Sequence, residues 1–207
     1  MVRRYITMKN ILLGLLVLST SAFAGVNGSI GYSSDYMWRG ATQSAGASSL
    51  NAGIELDSNG FFVGAWVGEV DFGDEATQER DLYLGYNLGV MDNLNVQLGV
   101  IQYRYDKGDY DTVEEGFVKV RYNNLKVAYY LDTDTEDDYA HIQYDLWFID
   151  ALDVSLGYGY HDEDNDFSAL LLSKNINDFT LGALIMLDEA FENQTTDSVS
   201  FYLSYNF

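Results

Sequence analysis

The chain has 207 residues, with 32 carboxylates against 11 lysines and arginines and a formal net charge of −21 at pH 7. So acidic a surface repels nucleic acid, and no DNA or RNA partner is expected. Cysteine is absent, which excludes disulfides and amino-terminal acylation as a lipoprotein and leaves packing and hydrogen bonds to hold the fold.

The first 24 residues read as a secretory signal peptide. Arg3, Arg4 and Lys9 precede an apolar run from Ile11 to Leu18, and Ala22-Phe23-Ala24 closes it as a small-x-small cleavage site before Gly25. The apolar run is too short for a ~30 Å hydrocarbon core. Met8 opens an equally good signal, so translation from Met8 fits as well as from Met1. Residues 25–207 then form one domain that is more acidic still, since the leader holds basic residues and no acidic ones.

From Gly25 onward the pattern is alternation with a period of two. In the stretch GYSSDYMWRGATQS (Gly31–Ser44), Ile30, Tyr32, Tyr36 and Trp38 share one parity, while Gly31, Ser33, Asp35 and Arg39 take the other. This places Tyr36 and Trp38 on an outward, lipid-facing side. Further apolar sets follow: Leu50 to Leu56, Leu82 to Tyr86, Leu94 to Val100, Ala140 to Phe148, Leu152 to Tyr160, Phe179 to Leu187 and Val199 to Phe207. Weaker segments lie near 61–71, 112–122, 125–131 and 167–175, and for 61–71 and 167–175 the two faces cannot be told apart.

These segments make about twelve strands. Short turns rich in Asn, Asp and Gly (57–60, 89–93, 123–124, 149–151, 175–178) alternate with longer connections (39–47, 73–78, 106–111, 132–138, 162–166, 188–196), most of them acidic. The expected fold is all-β, an antiparallel up-and-down transmembrane barrel with turns at one end and loops at the other. A soluble sandwich also alternates, but its strands average about 5–6 residues. Ten residues at ~3.3 Å rise and ~40° tilt cover roughly 25 Å, the height of a lipid-facing band. Glycines and full charges at mid-strand suit a wet lumen. The last strand, closed by Phe207, has the pattern by which outer-membrane barrels are recognised for assembly, which makes the barrel-assembly machinery an expected partner.

Ser34, Asp35, Tyr36, Arg39, Gly40, Gln43 and Ser44 resemble the amino-terminal signature of the TorF-type outer-membrane porin family, which reads approximately S-D-Y-V-F-R-G-I-S-Q-S. Met37, Trp38, Ala41 and Thr42 depart from it. Gly60–Gly73 and Asp81–Tyr86 look like later blocks of that family. The resemblance implies an exported barrel in the bacterial outer membrane that serves as a pore, and says little about the solute.

Asp35 and Arg39 share a lumen parity near the loop end. They would set a charged constriction, or form a structural ion pair fixing the first loop. Lys119, Arg121 and Lys126 flank the 123–124 turn and point inward, with Asp145 and Asp153 on the following strands. This is either a patch favouring anionic solutes or an internal salt-bridge network. Arg80 and Arg104 have outward parity at the loop ends of their strands, diagonally across the hairpin through Met91. They would contact lipopolysaccharide phosphates, or simply snorkel at the interface.

The acidic loops 132–139 and 161–166 carry oxygen ligands without EF-hand spacing, so no discrete metal site is expected. His141 and His161 have no serine placed beside them, and no catalytic residue or cofactor is expected. The leading function is therefore a porin-like channel for passive diffusion of small hydrophilic solutes or ions, in contact with outer-membrane lipid and lipopolysaccharide. A closed structural or adhesion barrel filled by Tyr83, Tyr103, Tyr130 and Tyr202 is the alternative, and an outer-membrane lipid hydrolase the remotest.

Overall fold

A computed structural model describes residues 25–108, 110–133, 138–146, 151–161, 166–188 and 199–207. The expected signal peptide therefore lies outside the described residues, as do residues 134–137, 162–165 and 189–198 of the acidic connections.

Twelve antiparallel strands close into a barrel. They are β1 (Gly25–Ser33), β4 (Ser49–Ser58), β5 (Phe61–Glu69), β6 (Gln78–Met91), β7 (Leu94–Tyr105), β8 (Val113–Tyr122), β9 (Leu125–Asp132), β10 (Tyr139–Leu146), β11 (Asp153–His161), β12 (Asp166–Ile176), β13 (Phe179–Asp188) and β14 (Val199–Asn206). Each pairs with its neighbour in sequence, and β1 closes the ring against β14. Two short strands, β2 (Met37–Trp38) and β3 (Ala41–Thr42), pair only with each other.

Local chemistry accounts for the meander. Asn59 and Gly60, at φ 50° and 88°, take the left-handed conformations that a two-residue hairpin turn needs, and Asn123 and Asn177 do the same at their turns. Between turns the pleat sends alternate residues to opposite faces. Val26, Ile30, Leu50, Ile54, Leu98, Ile142, Leu156 and Phe201 project from the outer surface and are exposed. An apolar belt of this extent on a closed barrel is what a bilayer covers.

Register settles the two ambiguous segments. Val63 pairs Leu84 and Leu56, so Phe61, Val63, Ala65 and Val67 face out while Phe62 and Trp66 face in. Leu170 pairs Leu156 and Leu172 pairs Val154, so those two leucines face out while Phe167, Ala169 and Leu171 face in. The inner wall gains room for rings by setting glycine opposite aromatic residues: Gly85 faces Phe62, Gly99 faces Phe117, and Gly182 faces Tyr202.

The first segment departs from expectation. Outward alternation stops at Tyr32. Beyond Ser34, which still exchanges hydrogen bonds with Phe201 of β14, the chain leaves the wall and folds into the barrel as a hairpin, and Tyr36 and Trp38 point into the interior instead of toward lipid. The turn is made by Arg39 and Gly40 at φ 48° and 85°. The alternating pattern continued past the point where pairing with β4 ended at Ser33 and Ser49, so parity no longer reported a face.

At the loop end of β7, Asp106 ties two connections together. Its carboxylate accepts hydrogen bonds from the Thr77 N–H (2.9 Å), the Thr77 hydroxyl (2.8 Å) and the Gln78 N–H (2.9 Å). The Thr77 backbone bond leads in holding this carboxyl down to about 2. A depressed carboxyl lends its anchoring fully above the usual value near ~4 and loses it as pH falls through about 2. In a carbon-detected NMR titration the Asp106 carboxyl should therefore move near pH 2. In Thr77→Val, which removes the hydroxyl, its midpoint should rise toward ~4.

The glycine positions give a second test. A Cβ at Gly85 would lie 2.2 Å from the Leu98 carbonyl oxygen and 2.4 Å from the Phe62 ring, whereas one at Gly116 meets nothing within 4 Å. Gly85→Ala should destabilise the barrel by about 1–3 kcal/mol. Gly116→Ala should leave the unfolding midpoint in detergent unchanged.

Candidate lumen constriction

The inward hairpin is built on Asp35, of which 1% is exposed. Its Oδ1 accepts from the Thr42 hydroxyl at 2.5 Å and lies 3.0 Å from the Ser44 hydroxyl. Its carbonyl accepts from the Ser200 hydroxyl of β14 at 2.5 Å. The Gln43 N–H closes the hairpin onto the Tyr36 carbonyl at 2.6 Å, and the Asp71 N–H donates to the Gln43 carbonyl at 2.8 Å. Asp35 thus organises the hairpin root and is not the partner of Arg39.

Arg39 instead crosses the lumen. Its Nη1 and Nη2 each lie 2.6 Å from a carboxylate oxygen of Glu115 on β8, a bidentate pair with both side chains almost fully buried. Glu115 also accepts from the Tyr103 hydroxyl at 2.9 Å. The guanidinium carbon sits 4.1 Å from the Trp38 ring centroid, 4.6 Å from that of Tyr130 and 4.3 Å from that of Tyr139. Tyr130 belongs to β9, which lies six places from β1 around the ring in either direction. The hairpin is therefore rooted on one wall and clasped on the opposite one. A weakly hydrated planar cation between aromatic faces suits this partly dry setting.

Other hairpin side chains reach the rest of the wall. The Tyr36 hydroxyl donates to Glu79 at 3.2 Å, and its ring packs 5.5 Å from Trp66. Burial first, then the Glu79 and Asp81 carboxylates, push the Tyr36 phenol well above its usual range, so it remains a donor at any physiological pH. Trp38 meets Tyr103 edge-on, and Met37 packs on the cluster of Tyr139, Phe167, Ala169 and Met186. The hairpin thus touches wall residues from β5 around to β14.

Toward the turn end, Lys119, Arg121, Lys126 and Asp145 come together. Arg121 and Lys126 are direct cross-strand partners. Lys126 Nζ lies 2.9 Å from Asp145, whose carboxylate also accepts from Gln143 and Ser155. Lys119 rests over the Phe117 ring at 4.6 Å. Lys119 and Arg121 have no ion pair among the described residues. Asp153 stands exposed at the start of β11, outside this group.

Arg80 and Arg104 are directly opposite one another rather than diagonal, because the β6–β7 register pairs them. His141 and His161 flank the Tyr139 ring. No group of three or more acidic or histidine side chains among the described residues is arranged to hold a metal ion.

Sequence reasoning found Arg39 but missed Glu115, Glu79, Trp66, Tyr103 and Tyr139 as its surroundings. The available signal was Glu115 itself, a carboxylate of inward parity near the loop end of a weakly patterned segment.

A family model matches residues 19–201 of the chain. The chain belongs to the Gcw_chp family, bacterial proteins of unknown function. No curated protein matches it. Among solved structures it is similar to a KdgM porin, with a TM-score of 0.61 at 10% identity over 88% of this chain and 98% of that one. It is likewise similar to a KdgM porin in complex with disordered oligogalacturonate, with a TM-score of 0.60, 10% identity and the same coverage. At such identity the likeness establishes the shared fold, a closed barrel of porin type.

Replacing Glu115 with glutamine leaves the Arg39 charge buried against a neutral partner, a loss of several kcal/mol for a clasp of this kind. Hydrogen exchange at the Gln43 amide, which closes the hairpin, should accelerate by at least about tenfold in Glu115→Gln. Amides of the β12–β13 ladder should be unchanged.

Proposed function

We propose that this protein is a porin-like channel of the bacterial outer membrane, passing small hydrophilic solutes or ions by passive diffusion. In this reading the Arg39 hairpin is its constriction. The observation that carries it is the closed twelve-stranded barrel with an apolar exterior and an inner wall of charged and polar side chains. The TorF-type resemblance of Ser34–Ser44 and the likeness to KdgM porins point the same way. Both termini and the short turns would then lie in the periplasm and the acidic loops outside.

Function follows from partition into a wet lumen. Carboxylate-rich loops concentrate cations at the outer mouth, and the hairpin narrows the way within. Below it, Lys119 and Arg121 offer uncompensated positive charge. One similar porin was solved with oligogalacturonate, and a basic patch here suits anionic solutes. A second reading is favoured by the hairpin itself: contacts that run around the wall suit a closed structural barrel.

Single-channel conductance of residues 25–207, refolded into a planar bilayer, separates the two. The porin reading expects small discrete steps in the wild type and steps at least about twofold larger in Arg39→Ala, as the aqueous section widens. Lys119→Gln with Arg121→Gln should shift the reversal potential toward cation preference. Folded protein that gives no steps, with or without Arg39, would establish the closed barrel instead.

A further inference from the structure

We propose that Arg80 and Arg104 form a clamp on the lipid-facing wall that grips the phosphate of an outer-leaflet lipid headgroup. The proposal rests on the outer-membrane reading, which turns the loop end of the barrel outward.

Arg80 and Arg104 are cross-strand partners of β6 and β7, and both are exposed. They share parity with Leu82, Leu84, Leu98 and Val100, so they stand on the apolar face and not in the lumen. Directly opposed side chains have Cβ atoms about 4.5–5.5 Å apart, and like charges there repel. Composition does not impose this arrangement: the chain has 11 basic residues against 32 acidic ones, and a carboxylate partner would have been readily available.

The carboxylates nearest on the same face are turned elsewhere. Glu69, two residues beyond the Val67 that pairs Arg80, accepts from the Leu50 N–H at 2.9 Å. Glu114, opposite Gln102, is held by the Gln102 side-chain amide. Arg80 donates through Nε to Gln78 Oε1 at 2.6 Å. That bond fixes the guanidinium plane and leaves its terminal nitrogens unengaged. Arg104 has no hydrogen bond or ion pair among the described residues. Two opposed guanidinium groups without counter-ions, that of Arg80 held in plane by Gln78, form a dianion receptor, and bidentate contact with phosphate oxygens is the geometry they favour.

Height selects the source of that phosphate. From Leu88 to Arg80 the strand covers eight residues, roughly 26 Å along its length and ~20 Å along the barrel axis at ~40° tilt. Leu88 lies near the turn end of the belt, so Arg80 reaches the opposite edge of a ~25 Å apolar band. Lipid phosphates lie at that level, and the pair with a phosphomonoester of nearly two negative charges would be neutral. A free phosphate in water would instead meet the acidic loops above.

The test uses the refolded mature chain in zwitterionic detergent, titrated with bis-phosphorylated lipid A and with its dephosphorylated form. Binding is read by native mass spectrometry and by the thermal midpoint. The phosphorylated lipid should bind at least about tenfold tighter and raise the midpoint, and Arg80→Gln or Arg104→Gln should abolish that preference. Without lipid, each single variant should be at least as stable as the wild type, because a like-charge contact is relieved. Equal binding of the two lipids, or variants that keep the full preference, would overturn the clamp and leave simple snorkelling. Inorganic phosphate raising the midpoint as far as the lipid does would overturn the headgroup assignment. Conductance is a separate readout: its absence from the wild type would count against the pore without touching the lipid preference.

Discussion

The interior of this barrel depends on one ion pair across its lumen. Arg39 comes from the hairpin after β1 and Glu115 from β8, and 76 residues of chain separate them. Burying two charges is costly, and a buried pair is poor proof of stability unless its remaining hydrogen-bonding capacity is met. Here it largely is. Glu115 accepts from both guanidinium nitrogens and from Tyr103, and Arg39 lies against three aromatic faces. The pair converts a loop that could lie anywhere above the rim into a fixed strut.

That strut divides the electrostatics of the lumen. On the loop side the chain is rich in carboxylates. On the turn side Lys119 and Arg121 remain unpaired among the described residues, and Lys126 is matched by Asp145. Between the two lies a layer rich in aromatic rings, with Trp38, Tyr103, Tyr130 and Tyr139 around the guanidinium and Trp66 against Tyr36. An ion crossing this layer loses solvent that the wall replaces only in part. The layer with the fewest compensating groups, and not the charged mouths, would limit the rate of any passage.

The architecture was legible in the sequence because a barrel wall is a local code. Leu94, Val96, Leu98 and Val100 each report their face without reference to any other strand, and Asn59-Gly60 reports its turn without reference to a core. The hairpin was not legible for the same reason. Tyr36 and Trp38 keep the alternation of β1, yet the strand they would belong to ends at Ser33. Nothing local distinguishes a ring facing lipid from a ring facing Trp66 or Tyr103. The Arg39 partner was equally hidden, since a contact across the lumen obeys no spacing rule. The Arg80–Arg104 pair was nearly readable: its outward parity was, while direct rather than diagonal opposition required the register of the β6–β7 turn.

Energetics then fix where a solute could pass. If release of the hairpin from its clasp, ring contacts and Met37 packing together costs about 3 kcal/mol, a wholly displaced hairpin is populated at under about 1%. Conduction through that state alone would be rare, so a steady pathway must run beside the seated hairpin. The clasp and the cation–π contacts close the side toward β7–β10, while Met37 packs toward β10, β12 and β13. On the other side a cavity of about 280 Å³ opens between the hairpin root and the wall, bordered by Ser33, Asn51, Ser200, Tyr202 and Ser204. Its lining mixes these hydroxyl and amide groups with apolar surface from Met37, Leu171, Leu184 and Leu203, so a solute there would exchange some hydrogen bonds with the wall and lose the rest of its hydration to apolar contact. The described residues thus leave open space beside the seated hairpin along the β1–β14 wall, where Asp35 and Ser200 hold the root in place.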